Sequence, residues 1–423
     1  MKRPTFFSVA LAVVAALSAL LLVAAPRHPL ALLPVLGTLL ACLTMKLPRW
    51  IRMAIGLGLV LVAIPAAGFE NSFLFELGIQ IGIYAALALG LNVVVGLAGL
   101  LDLGYAAFFA IGAYTWAIFG SPQANAFIEG GSFPLAGWPW FYVFIALAVV
   151  TAALTGVLIG LPALRLRGDY LAIVTLGLGE VVRVLANNLD HPVNLTNGPQ
   201  GISPVERPPI GWLMGGLHAL GVDIPPAVGY ALYFYLLVLG VVGIVTLVNL
   251  RLDRSRFGRS WVAIREDEIA ARAVGISLVR TKILAFATGA AFSGVMGAIF
   301  AAKQLFVSPE SFTLLQSITI LAMVILGGMG SIKGAIVGAA AVTLLNIEVL
   351  KTMSDGLNNL RQSGFVLDFG PLHYDFTQLP VQLEPAKYER MIFGLILILM
   401  MIFRPQGLIP ENRHKLELKK EEE

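Results

Sequence analysis

Apolar residues run along this chain in continuous blocks and do not alternate. The blocks fall at 6–23, 30–45, 51–68, 73–96, 103–120, 140–164, 170–186, 228–250, 283–302, 312–326, 335–350 and 391–403. A spanning helix needs roughly 20 apolar residues, so these blocks predict an all-α polytopic membrane protein with about 10–12 transmembrane or re-entrant helices. An outer-membrane barrel would show ~10-residue stretches of strict alternation instead. The block at 170–186 departs from the rest, because Gly177, Gly179, Glu180 and Arg183 interrupt it. Irregular backbone survives at membrane depth only where protein buries it or it lines a cavity, so a broken or re-entrant helix is predicted there. The first block follows Met1-Lys2-Arg3 and ends near Val23 and Ala25, in the manner of a signal peptide. Pro26 is a poor residue after a cut and the second block follows almost at once, so an uncleaved first span is predicted.

Composition strengthens this picture. Charged residues make up 13% of the 423 residues, against roughly 25% in soluble domains. The apolar fraction is 58% and the mean hydropathy +0.84. Too few charges exist to cover a soluble surface, and disorder is excluded because disordered chains are polar. The one cysteine, Cys42, allows no intrachain disulfide. The net charge of +4 is concentrated in a few loops, so it signals topology and not nucleic acid. With the N-terminus inside, alternating spans place Lys46, Arg49, Arg52, Arg165, Arg167, Lys333, the loop 251–282 and the tail from Arg404 on the inside. The outside receives 120–138 with no Lys or Arg, and 187–227, where Asp190, Glu206 and Asp223 oppose only Arg207. Both termini are therefore expected in the cytoplasm.

The inventory of reactive groups argues against catalysis. The histidines, His28, His191, His218, His373 and His414, all lie in loops or the tail, so no metal site or nucleophile–base pair is expected at depth. No Gly-x-x-x-x-Gly-Lys-Ser/Thr phosphate loop exists. Gly328-Met329-Gly330-Ser331 lies between two membrane blocks with no strand before it, which predicts a tight turn between helices. Glycine clusters around 96–112 and 327–338 predict close helix packing and hint at an internal repeat. Ionisable residues at depth are few: Glu76, Asp102, Glu180 and Arg183. Glu180 and Arg183 stand three apart on one helix face and are expected to pair. Tyr105, Thr175 and Glu180, in or beside glycine-interrupted helices, are candidates for a translocation pathway.

The inside loop 251–282 is the most informative segment. It carries eight basic and four acidic residues. It predicts one helix capped by Ser260 and stopped by Gly275, with Glu266, Asp267 and Glu268 early, Arg272 late, and Glu268 paired to Arg272. Much of its surface is small, through Ala263, Ala270, Ala271 and Ala273. A short helix of this kind between two spans is suited to dock into a groove on another protein.

Ala270-Ala271-Arg272-Ala273-Val274-Gly275 resembles the Glu-Ala-Ala-x-x-x-Gly coupling motif of ABC importer permeases, with Ile269 in the Glu position and Glu268 beside it. More specific stretches are Gly90-Leu91-Asn92 through Gly96, Gly104-Tyr105, Arg167-Gly168-Asp169-Tyr170, Arg265-Glu266-Asp267-Glu268, Ser308-Pro309-Glu310, Leu326-Gly327-Gly328-Met329-Gly330-Ser331 and Arg404-Pro405-Gln406-Gly407-Leu408. In this order they resemble the LivM-type permeases of high-affinity branched-chain amino acid ABC transporters, over residues 73–410. The resemblance implies an ABC importer permease fold: an N-terminal transmembrane extension (1–70), a permease core (71–410) and a charged cytoplasmic tail (411–423). It implies a non-catalytic subunit in the bacterial inner membrane that imports leucine, isoleucine or valine and holds no cofactor. Its partners would be a second permease of LivH type, two ATPases of LivG and LivF type, a periplasmic amino-acid-binding protein and membrane lipid. Arg265, Glu266, Asp267, Glu268, Ala270, Ala271, Arg272 and Gly275 would form the ATPase-coupling loop, and 187–227 would meet the binding protein. In that outer loop, Thr196-Asn197-Gly198-Pro199 resembles a family stretch with Gly where Asn197 stands. The competing expectation from the residues is an ion-coupled carrier acting alone, which the scarcity of buried carboxylates disfavours.

Overall fold

Among the described residues, every apolar block contains a helix in the computed structural model. The structure describes residues 6–24, 32–44, 48–128, 131, 133–135, 137–163, 166, 168–219, 221, 223–363, 366–369, 372–375 and 388–410. The tail 411–423 and the inside residues Arg165 and Arg167 fall outside the described residues. In chain order the helices are α1 (Phe6–Ala24), α2 (Leu32–Thr44), α3 (Arg49–Gly58), α4 (Ile64–Gly68), α5 (Phe73–Asn92), α6 (Ala106–Phe119), α7 (Trp138–Ala163), α8 (Asp169–Asn188), α9 (Gly211–Ala219) and α10 (Pro226–Asp253). There follow α11 (Arg256–Glu266), α12 (Glu268–Ala273), α13 (Leu278–Gln304), α14 (Leu314–Gly327), α15 (Ile332–Leu344), α16 (Leu350–Gln362) and α17 (Glu389–Phe403). A short antiparallel hairpin, β1 (Val366–Phe369) and β2 (Leu372–Asp375), precedes α17. Single π-helical turns join α3 to α4 and α15 to α16, and extend α5 to Leu97. Eight helical segments are long and apolar enough to cross a membrane, and Ala10–Ala24, Ala106–Phe119 and Gly394–Phe403 are shorter apolar helices. The chain is thus an all-α polytopic membrane protein.

The helix at 170–186 is not broken. α8 runs uninterrupted from Asp169 to Asn188, and Glu180 and Arg183 pair within one turn of it. The irregular backbone lies instead at 98–105, between the π-turn of α5 and the start of α6. Glycine supplies the conformation there: Gly99 sits at φ +69°, a region that costs other L-residues 1–2 kcal/mol or so.

Contacts divide the chain into two units, one of 1–81 and 340–405, the other of 82–339 and 406–423. In the first, Leu22, Val35, Leu59, Ala67, Leu74 and Leu77 form a core against which Leu344 and Ile347 pack. The N-terminal helices therefore share a core with the segment following Ala339.

In the second unit α13 is the central helix, packed by α6 and α7. Its approach to α6 is backbone against backbone. A Cβ built on Gly112 would lie 2.1 Å from Gly294 O, and one on Gly297 would lie 2.2 Å from Phe109 O. Membrane helices gain no hydrophobic drive from each other, so small residues that bring backbones together supply the packing.

Loops of this unit gather at two ends. At one end Gln123 Nε2 donates to Asn194 O at 2.9 Å, Glu206 N to Gly120 O at 2.6 Å, and Ile202 pairs with Val307. At the other, Arg265 reaches Gly96 O, Asn92 Oδ1 accepts from Gly330 N, and Leu408 and Ile409 N–H groups bond Leu326 and Gly327 carbonyls. The loops expected outside meet at one end and those expected inside meet at the other.

Candidate functional site: a helical elbow and a charged pocket

Two features of the second unit carry chemistry. The first is the elbow formed by α11 and α12. The single helix predicted here is two: Asp267 breaks it with φ −156° and ψ 114°. Ser255, not Ser260, caps α11, its Oγ accepting from Gly258 N at 3.2 Å. Ser260 lies inside the helix and donates back to Arg256 O. Asp267 caps α12, accepting from Ile269 N at 2.7 Å and Ala270 N at 3.1 Å. An acidic cap satisfies two orphan donors at a helix N-terminus, which is why the chain turns at this residue. Gly275, at φ +86°, ends α12: its N–H bonds Arg272 O and the Ile276 N–H bonds Ala271 O, as in a Schellman stop. Asp267→Ala is expected to cost about 1 kcal/mol of local stability. Amide hydrogen exchange should quicken at Ile269 and Ala270, and unchanged exchange would refute the cap.

Three anchors hold the elbow to the spans. Trp261 is fully buried and donates its indole N–H to Thr281 O at 2.8 Å. Glu268 pairs with the buried Lys282 of α13 and not with Arg272 as expected; the tertiary partner lies 14 residues away, beyond helical pairing rules. Arg265 donates to Gly96 O at 2.6 Å and packs on Gly99, where a Cβ would lie 2.7 Å from its Cγ. It also pairs with Glu266 at 3.0 Å. Ala271 is buried, whereas Ala270, Arg272 and Gly275 are exposed. Ile269 (73% exposed) and Val274 (77%) crown the elbow, an apolar tip on a polar loop.

The second feature is a pocket of about 150 Å³ at the irregular segment. Leu103, Gly104, Ala106 and Ala107 form one wall, Leu176, Gly179 and Glu180 of α8 another, and Phe312, Thr313, Leu314 and Ser317 the third. Gly104 permits the approach of α8, since a Cβ there would lie 2.1 Å from Thr175 O. Of the three candidate pathway residues only Glu180 lines this pocket. Thr175 is buried, accepting from Leu103 N and donating to Ala172 O, both at 3.1 Å. Tyr105 is buried and donates to Gly289 O at 2.9 Å. Both brace the wall. Asp102, also buried, closes the turn by accepting from Gly104 N at 2.9 Å. The expected Glu180–Arg183 pair is present, and Arg183 also donates to Glu310 Oε1 at 2.9 Å. Glu310 has no sequence signal linking it to α8, because 127 positions separate it from Arg183.

Asn197 sits in the left-handed region at φ +58°, and its side chain donates to Gly201 O at 2.8 Å. Asparagine tolerates this conformation better than most residues, because its short polar side chain can hydrogen-bond locally.

Residues 73–401 match the family model of the branched-chain amino acid transport system permease component. The chain belongs to that family. It is 41% identical over 348 residues to the high-affinity branched-chain amino acid transport system permease protein LivM of Salmonella typhimurium, covering 80% of this chain and 70% of the relative. The LivM protein of Escherichia coli is also 41% identical, over 350 residues. A shorter similarity, 35% over 141 residues, links a third of this chain to 42% of the L-arabinose permease AraH of Escherichia coli. No solved structure matches the chain. The family match begins at residue 73, after α4, and contains both the elbow and the pocket.

Proposed function

We propose that this chain is a non-catalytic permease subunit of an ATP-driven importer, carrying leucine, isoleucine or valine across a bacterial inner membrane with both termini in the cytoplasm. Residues 1–70 form a transmembrane extension to a core at 71–410, and 411–423 a charged cytoplasmic tail. A second permease of LivH type completes the pathway, two ATPases of LivG and LivF type supply energy, and a periplasmic binding protein delivers the amino acid to the outer loop 187–227.

The observation that carries this reading is the elbow. Its inner face is locked to the spans by Trp261, Arg265 and Glu268, while Ile269 and Val274 face outward. A tip of that kind seats in a groove, and the rigid anchors pass the motion of the ATPases to α13 and to the end of α5. Transport follows as alternating access between two discrete packings. The partial similarity to an arabinose permease supports cargo selection outside the shared segment, in keeping with a separate binding protein. Within the pathway, Glu180 lines the pocket while Tyr105 and Thr175 hold its wall.

Affinity purification in mild detergent, followed by mass spectrometry, tests the assembly. Two ATPases and a second permease should copurify. A chain recovered alone, active in proteoliposomes without ATP, would make it an ion-coupled carrier. The double charge reversal Glu266→Lys/Glu268→Lys is expected to uncouple ATP hydrolysis from uptake or to prevent ATPase docking. Breaking a fully buried ion pair costs about 3–5 kcal/mol, and Glu268–Lys282 is partly buried, so the variant also loosens this anchor. Normal uptake with normal assembly in that variant would overturn the coupling role.

A further inference from the structure

The charges beside the pocket call for an explanation that packing does not supply. Leu176, Gly179, Glu180 and Arg183 form one stripe of α8, and Glu180 is the twelfth of its 20 residues, far from either end. Yet the Glu180 side chain is 43% exposed and that of Glu310 66% exposed. Charged side chains do not face lipid at that depth without large cost, so this stripe faces a water-filled path or a partner. Two carboxylates on one guanidinium also leave an unbalanced negative charge. Each carboxylate spends only its Oε1 on Arg183, leaving its Oε2 without a hydrogen bond among the described residues.

We propose that Arg183, Glu180 and Glu310 form a binding station for the zwitterionic head of an amino acid, whose aliphatic side chain occupies the adjoining pocket. The inference rests on the reading of this chain as an amino-acid permease and adds to it a substrate site. The α-ammonium group is met by the unused carboxylate oxygens. The α-carboxylate replaces Glu310 on the Arg183 fork, a geometry suited to planar acceptors. Leu176, Phe312 and Leu314 provide the apolar wall, and Ser317 retains a hydroxyl proton to donate, since its oxygen accepts from Ala106 N at 2.9 Å.

The test is protection from labelling in the complete purified importer. Leu314→Cys, in a Cys42→Ala background, reports on the pocket through its rate of maleimide reaction, and Leu176→Cys serves as a second reporter. L-Leucine is expected to slow labelling several-fold. Isoamylamine, lacking the carboxylate, and 4-methylpentanoate, lacking the amine, should not slow it. The Glu180→Gln/Arg183→Gln variant should lose the protection while still assembling with the ATPases and the second permease. Absent protection while the loaded binding protein stimulates ATP hydrolysis, equal protection by all three compounds, or protection persisting in the double variant would each overturn the site and leave the permease reading standing. An importer with Glu180 and Arg183 intact whose ATPases ignore the loaded binding protein would remove that underlying reading, and the proposal with it.

Discussion

With Trp261→Ala in the assembled importer, ATP hydrolysis is expected to continue while leucine uptake falls roughly tenfold or more, the rate equivalent of ~1.4 kcal/mol. Trp261 is fully buried between α11 and α13, and its indole N–H satisfies Thr281 O. Removing a buried aromatic costs about 3–5 kcal/mol, because the space left behind does not fully collapse. Under the proposed coupling role, that loss falls on the seam through which the elbow would move α13, not on the bundle as a whole. The remaining anchors, Arg265 on Gly96 O and Glu268 on Lys282, keep the elbow attached but not rigid. Trp261→Phe keeps the ring and loses one hydrogen bond, about 1 kcal/mol, so it should stay near the parent rate. Hydrolysis and uptake measured in the same proteoliposomes decide the matter. An equal fall in both, or no fall in either, would show that the seam does not transmit motion.

Gly112→Val is expected to prevent accumulation of the folded chain. A Cβ at Gly112 would lie 2.1 Å from Gly294 O and 2.5 Å from Gly294 Cα. Overpacking a core usually costs about 1–3 kcal/mol, relieved by rotamer shifts. No such relief exists here, because the obstacle is backbone. α13 cannot retreat either, since a Cβ at Gly294 would already lie 2.5 Å from Ala148 O on α7. Gly240→Ala is the contrasting control: nothing lies within 4 Å of its Cβ position. Quantitative immunoblotting of membranes and thermal unfolding in detergent should separate the two variants. Normal yield and midpoint for Gly112→Val would mean that α6 and α13 do not meet this closely.

Much of this protein was legible as a string of residues. Continuous apolar blocks marked the eight long apolar helices among the described residues, because a lipid solvent forces each span to satisfy its own backbone and leaves a plain hydropathy signal. Gly275 as a stop, the turn at Gly328–Ser331 and the Glu180–Arg183 pair were equally readable, since each depends on residues within one or two helical turns. Motifs in order along 73–410 carried the family. What only the tertiary structure decided was where local options resolve. Ser255 and Asp267, not Ser260, cap the two helices of the elbow, and the chain turns between them at Asp267. Glu268 takes Lys282 over Arg272 because burial makes the distant charge the stronger partner. The break in the backbone sits at 98–105 and not in α8, since Thr175 and Asp102 accept the linker's N–H groups. Glu310 joins Arg183 across 127 positions, and no local pattern encodes that meeting. The sequence by itself determined which segments enter the membrane and the family they form, because those depend on solvent and short-range geometry; which charges meet, and where the pocket opens, depended on long-range packing that only the folded bundle defines.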